Sequence, residues 1–219
     1  RGYLEPGFTH IFVVPADGGT PRQLTSGNYN HSGRLSWTAD STQLIFSATR
    51  RTDWQLQTRR SDLYTVTIAD RTISALTDRK GPDHGPTVSP DGKWVAYLGY
   101  RDTGKSYQDD ELTLKRLDKP DNPPRVLAGS LDRTPANSIW AADSSGLFFQ
   151  YDDQGVTRVG FVSLKTPQKV SPVATNVGGT VIGRPYAGGT FSVSDDGTLA
   201  YTQTRPEYPA DIAIAERGK

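Results

Sequence analysis

Val88-Ser-Pro-Asp-Gly-Lys-Trp-Val-Ala-Tyr97 joins an apolar residue, a turn holding an aspartate and a second apolar run that ends in an aromatic. The same pattern recurs as Trp37-Thr-Ala-Asp40 leading to Leu44-Ile-Phe46, as Trp140-Ala-Ala-Asp143 leading to Leu147-Phe-Phe149, and as Val193-Ser-Asp-Asp196 leading to Leu199-Ala-Tyr201. The aligned aspartates stand 51, 52 and 53 residues apart. Self-similarity at a period near 50 residues marks architectures that stack one small unit on the next.

Within a period, the hairpin is followed by a third apolar alternation, such as Asp62-Leu-Tyr-Thr-Val-Thr-Ile68, Glu111-Leu-Thr-Leu-Lys-Arg-Leu117 or Thr157-Arg-Val-Gly-Phe-Val-Ser-Leu164. A fourth short strand then closes the unit, as in Thr72-Ile-Ser-Ala-Leu-Thr77, Pro124-Arg-Val-Leu-Ala128 and Lys169-Val-Ser-Pro-Val173. Ser89-Pro-Asp-Gly92 places proline and glycine where a type I turn favours them. No stretch shows the 3.6-residue period of a helix, whereas alternation of period two between Gly, Pro, Asn and Asp produces short strands. The chain is therefore expected to be all-β, a β-propeller of four-stranded antiparallel blades. A lone four-stranded sheet has two faces, and only neighbouring blades cover both.

Blade boundaries are expected at 1–33 for a half blade, 34–85, 86–136 and 137–189 for complete blades, and 190–219 for an incomplete one. His10-Ile-Phe-Val-Val-Pro15 and Pro21-Arg-Gln-Leu-Thr25 match only the third and fourth strands of a blade, and Val193 to Ala215 supplies only the first three. Seventeen strands in about four to five blades either close into a small ring or form an arc of a larger propeller. A first residue of arginine and the absence of methionine add to the expectation of a segment from a longer chain.

Composition removes several functions. A net charge of +1, with the 25 basic residues spread along the chain, gives no electrostatic case for nucleic acid. No apolar run is long enough to span a membrane as a helix, and the absence of cysteine excludes disulfides and thiolate metal sites. Either a cytoplasmic or a periplasmic setting is compatible with this. Aspartates outnumber glutamates about five to one, but most sit in turns such as Asp17-Gly18, Asp91-Gly92 and Asp196-Gly197, where the short carboxylate bonds to nearby amides. No calcium loop of Asp-x-Asp-x-Asp-Gly type occurs, and no metal or cofactor is expected. Gly178-Gly179 and Gly188-Gly189 lack the lysine and helix of a phosphate cradle and read as turns and places of close backbone approach. The recurring Trp37 and Trp140, and the aromatics Phe46, Tyr97, Phe149 and Tyr201, are expected between blades rather than as a binding stripe.

The hairpins at Ser89 to Tyr97 and Asp17 to Thr25 resemble the repeat of TolB-like propellers and of the propeller in prolyl oligopeptidase-family (S9) serine peptidases. Gly183-Arg-Pro-Tyr-Ala-Gly-Gly-Thr-Phe191 and Ala200-Tyr-Thr-Gln-Thr-Arg-Pro-Glu-Tyr-Pro-Ala-Asp211 resemble the last stretch of that propeller in acylaminoacyl- and dipeptidyl-peptidase-like members. The resemblance implies a parent of six to eight blades capping an α/β-hydrolase domain. Its Gly-x-Ser-x-Gly nucleophile turn occurs nowhere here, so no catalytic residue is assigned to this chain. His10, His31 and His84 read as ordinary polar residues of a strand edge and loops. The partners implied are the hydrolase domain and a peptide substrate, with a homo-oligomer as a further option. A stand-alone TolB-like interaction propeller is the alternative, and a small propeller enzyme with two convergent carboxylates is a third.

The long loops between second and third strands and between blades share one end of the sheets: 48–60, 99–110, 151–154 and 178–189. By analogy with dipeptidyl peptidases, Asp109, Asp110, Asp152 and Asp153 are expected to meet a substrate amine, while Arg50, Arg51 and Tyr107 meet a carboxylate or carbonyl. The double-glutamate motif that would fix aminopeptidase specificity is absent.

Overall fold

A computed structural model describes residues 7–179 and 188–217. The first sheet pairs β1 (Phe12–Val13) with β2 (Arg22–Gln23), and the second runs β3 (Ser36–Trp37), β4 (Gln43–Ala48), β5 (Asp62–Thr67), β6 (Ile73–Ala75). The third contains β7 (Asp83–Val88), β8 (Trp94–Gly99), β9 (Glu111–Arg116) and β10 (Arg125–Leu127). The fourth contains β11 (Ala136–Trp140), β12 (Gly146–Asp153), β13 (Val156–Ser163) and β14 (Val170–Ala174). The fifth has three strands, β15 (Phe191–Val193), β16 (Thr198–Arg205) and β17 (Tyr208–Glu216). In every sheet the strands lie in chain order, the meander of a propeller blade. The chain divides into two compact units, residues 1–87 with 99–108, and residues 88–98 with 109–219.

The repeated aspartates set the hairpins. Asp91 accepts from the amide of Lys93 at 3.1 Å and from the Ser89 hydroxyl at 2.6 Å, and Asp196 does the same with Thr198 at 2.9 Å and Ser194 at 2.5 Å. Asp40 accepts from the Thr42 amide at 3.1 Å and the Thr38 hydroxyl at 2.7 Å, and Asp143 from the Ser145 amide at 2.9 Å. The hydroxyl that donates to the carboxylate in turn accepts from the returning strand, Thr38 from the Gln43 amide and Ser89 from the Trp94 amide, each at 3.0 Å. Such local side-chain bonds fix where a strand reverses and hence the register that follows.

Register decides the core. In the second unit, Leu147, Phe149 and Tyr151 of β12 face a cluster with Ala96, Leu98, Leu112, Leu114 and Leu127, while Phe148 turns to the opposite face with Val159, Phe161, Leu199 and Tyr201. The fourth sheet is thus covered on both faces, as period-two alternation of apolar residues on each side requires. In the first unit, Ile11 and Leu24 pack with Leu44, Phe46, Tyr64 and Val66 in the same way. Phe46, Tyr97, Phe149 and Tyr201 are all buried.

Trp37 departs from the repeat. Its counterpart Trp140 is 7% exposed and shares a cluster with β8 and β9 residues of the preceding sheet, whereas Trp37 is 46% exposed. The sheet preceding Trp37 has only β1 and β2 among the described residues, so fewer described strands stand beside that indole than beside Trp140.

Two outcomes follow. Phe148→Ala, which empties a fully buried site, should lower unfolding free energy by about 3–5 kcal/mol in a urea titration. Hydrogen bonds to the carboxylates hold Asp40, Asp143 and Asp196 below their usual range, Asp196 at about 2. A depressed folded pKa gives stability that is present above the unfolded value and lost as pH falls. The melting temperature should therefore drop between about pH 4 and pH 2, and Asp196→Ala should reduce the size of that drop.

Candidate functional site

The loops between second and third strands and the connections between sheets emerge at the same end of the strands. In the first unit this end is built around Ala48 to Asp62 and the start of β7. Asp62 and Asp83 open β5 and β7, and both side chains are shut from solvent. The Ser61 hydroxyl donates to the Asp83 carbonyl at 2.9 Å and the Asp83 amide donates to the Ser61 carbonyl at 2.8 Å, which brings the two carboxylates into one neighbourhood. Arg51 reaches Asp62 at 3.1 Å and Arg79 reaches Asp83 at 2.6 Å. One oxygen of each carboxylate remains buried without a hydrogen bond. Burial raises the Asp83 pKa against the opposing pull of Arg79. Gly99 closes over this pair: a Cβ there would lie 1.9 Å from the Pro82 oxygen and 2.9 Å from Asp83 Oδ1, at a φ of +149°. Only glycine lets the backbone approach so closely.

Arg50 goes elsewhere. Its Nη1 lies 2.6 Å from His31 Nε2, and its guanidinium lies over the Tyr29 ring at 4.9 Å. An arginine only donates, so Nε2 accepts and the proton sits on Nδ1, which donates to the Thr9 carbonyl at 3.2 Å. Burial and the nearby Arg50 charge hold the His31 pKa below the usual imidazole range, in keeping with a neutral ring. Arg50 and Arg51 are adjacent in sequence yet serve different partners. Tyr107, in the same unit, is 76% exposed.

In the second unit, Asp109 and Asp110 line a cleft of about 180 Å³ with Leu131 and Arg133. Asp109 accepts from the Thr134 hydroxyl at 2.5 Å. Arg133 pairs with Asp153 at 3.1 Å, and Arg158 approaches the other oxygen of Asp153 at 3.4 Å. The structure therefore pairs Asp153 with Arg133 beside the cleft that Asp109 and Asp110 line, while Asp152 turns to the Thr157 hydroxyl at 2.6 Å. An incoming ammonium would compete with a guanidinium already seated. Beside the β12–β13 turn, a more apolar cleft of about 490 Å³ is lined by Val156, Thr157, Asn176, Arg205, Tyr208 and Pro209. Residues 180–187 of the expected inter-blade loop lie outside the described residues.

Sequence reading missed the buried pairs Arg51–Asp62 and Arg79–Asp83 and the role of His31. The arginine pair itself, Arg50-Arg51, was visible, but the partner of each depends on strand register across the sheet.

Comparison with known proteins gives this geometry a family setting. Residues 3–105 match the family described as the dipeptidyl peptidase IV N-terminal region. Dipeptidyl-peptidase 5 of Porphyromonas gingivalis is 27% identical over 135 residues, which is 60% of this chain and 19% of that protein. Among solved structures, puromycin hydrolase superposes with a TM-score of 0.70 at 20% identity, covering 94% of this chain and 33% of that one. TolB from Acinetobacter baumannii superposes with a TM-score of 0.63 at 16% identity, covering 94% of this chain and 45% of that one. The chain spans 30% and 19% of the first two curated relatives it matches. Together the family match and the fold support an S9-type N-terminal propeller region.

Arg79→Ala should cost about 3–5 kcal/mol at pH 7, because it strands the buried Asp83 carboxylate. Protonating Asp83 relieves that charge, so the deficit, read by urea unfolding at two pH values, should shrink on going from pH 7 toward pH 4.

Proposed function

We propose that this propeller gates access of peptides to a separate α/β-hydrolase active site. The observation that carries the reading is the match of residues 3–105 to the dipeptidyl peptidase IV N-terminal region. The mechanism is exclusion. Sheets covered on both faces, such as the fourth, make a stiff wall, and a stiff wall over a reaction chamber rejects folded proteins by size whatever their sequence. Loops at the shared end of the strands then carry whatever recognition is added to exclusion. On this reading Asp109, Asp110, Asp152 and Asp153 of the second unit border the peptide path, and Arg133 screens Asp153 until substrate replaces it. The chain contributes no nucleophile; its partner supplies the serine chemistry.

A second reading, a TolB-like propeller that binds other proteins through its faces, draws on the superposition with TolB over 94% of this chain.

The two separate on the complete natural protein. Labelling with a fluorophosphonate probe should mark a species well above the mass of 219 residues, and cleavage should fall steeply as the same scissile sequence is moved from a short peptide into a folded protein. Absence of labelling, with no peptidase activity, would remove the gating reading and leave the interaction propeller.

A further inference from the structure

The first unit holds a polar cavity of about 410 Å³ at the end of its sheets that carries the long loop. Its lining includes Ser32, Ser47, Trp54, Gln55, Thr58 and Arg60. Trp54 opens a short 3-10 turn, Trp54–Leu56, and its ring is held edge-on by Phe8 at 6.0 Å. Four other lining groups are already committed: the Thr49 hydroxyl to the Arg60 carbonyl, the Gln57 amide to Asp53 at 2.8 Å, the Ser61 hydroxyl to the Asp83 carbonyl, and Asn30 Oδ1, which accepts from the Thr9 amide at 3.0 Å. Ser32, Ser47, Gln55 and Thr58 have no side-chain hydrogen bond to another described residue, so hydroxyl and amide groups remain to meet a ligand. The cavity has no carboxylate in its lining.

Charge defines the ligand further. The stretch 49–61 carries Arg50, Arg51, Arg59 and Arg60 against the single Asp53. Arg51 is neutralised by Asp62. Arg59 bonds the Lys105 carbonyl at 3.2 Å and also faces the Asp102 carboxylate, whereas the other two are held by neutral acceptors, Arg50 by His31 Nε2 and Arg60 by the Asp78 carbonyl at 3.3 Å. A neutral acceptor fixes a guanidinium in place without cancelling its charge. Arg60 lines the cavity itself, and its Nε is buried with no hydrogen-bond partner. A cation preorganised in this way, beside a flat indole and free hydroxyls, suits an anion of carboxylate geometry.

We infer that this cavity binds the carboxylate of a peptide, with Arg60 as its ion-pairing group, Trp54 packing against the adjoining peptide plane, and Ser32, Gln55 and Thr58 supplying hydrogen bonds. The inference rests on the peptide-gating reading for the choice of peptide; the preference for a carboxylate rests on the charge arrangement alone. Arg50 contributes through the field it adds near the loop, which acts over about a Debye length of 8 Å at physiological salt.

The test follows the Trp54 indole N–H signal of the 219-residue chain by NMR, assigned with Trp54→Phe. Three probes are titrated: N-acetyl-trialanine with a free carboxyl terminus, its carboxyl-terminal amide, and the amide of N-acetyl-Ala-Glu-Ala. The free acid, the glutamate peptide or both should shift the signal saturably, the trialanine amide should bind at least about tenfold more weakly, and Arg60→Gln should weaken the acid by a similar factor. Which acid binds identifies a terminal or a side-chain carboxylate. Gln55→Ala, on the exposed turn, provides a second variant that should weaken binding without touching the arginine. Equal binding of acid and amide, or an acid affinity unchanged by Arg60→Gln, would overturn the carboxylate inference while leaving peptide binding at this end intact. No shift with any probe up to about 10 mM, a free energy below about 3 kcal/mol, would overturn the site itself, and the gating reading would still stand or fall on peptide cleavage by the complete protein.

Discussion

A four-stranded sheet with apolar side chains on both faces must have both covered, and that need is the constraint from which the rest of the structure follows. The fourth sheet shows it most directly. Leu147, Phe149 and Tyr151 alternate with Phe148 along one strand, and each set enters a different apolar cluster. A side-chain period of two means that slipping the strand by one residue would exchange the two sets. The turn aspartates prevent that slip from the strand's end. Each ties its carboxylate to an amide two residues on, and at Asp40, Asp91 and Asp196 also to a hydroxyl two residues back. The same device explains the composition, because aspartate is short enough to bond within its own turn and glutamate is not.

This much was legible in sequence because both signals are local. The aspartate turn, the aromatic that closes the second strand and the order of strands within a sheet all lie within one repeat. Trp37 shows where locality ends. The residue obeys the repeat, yet its burial depends on strands of the preceding sheet, and that sheet contributes only β1 and β2 among the described residues. A position in a repeat fixes which way a side chain points; the neighbour fixes whether it is covered.

The loop end was legible as a place and opaque as an arrangement. The spacing of long loops put Arg50, Arg51 and the paired aspartates at one end of their sheets, but nothing local tells Arg50 from Arg51. The sheet does: Arg51 meets Asp62 at the start of the next strand, and Arg50 meets His31, which is bridged to Ala48. Likewise Asp152 and Asp153 are neighbours in sequence, and the strand separates them between Thr157 and Arg133. His31 looked like an ordinary loop polar residue, and by chemistry it is one, since both ring nitrogens are occupied by hydrogen bonds. Its importance is that it holds an arginine without discharging it.

That distinction separates the structural from the available charges in both units. Arg51 with Asp62, and Arg79 with Asp83, are closed pairs in which burial costs as much as attraction returns, and their value is to fix the approach of β5 and β7 beneath Gly99. Arg133 with Asp153 is more exposed, so water screens it and the pair contributes little to stability. A pair of that kind can be exchanged for a ligand at small cost. Arg60 has no carboxylate to lose: it rests against a carbonyl, and an arriving carboxylate adds an ion pair without breaking one. A site is therefore better sought where a cation is anchored by neutral groups than where charges are most numerous, and in the first unit that criterion selects the cavity beside Trp54 over the more conspicuous buried pairs.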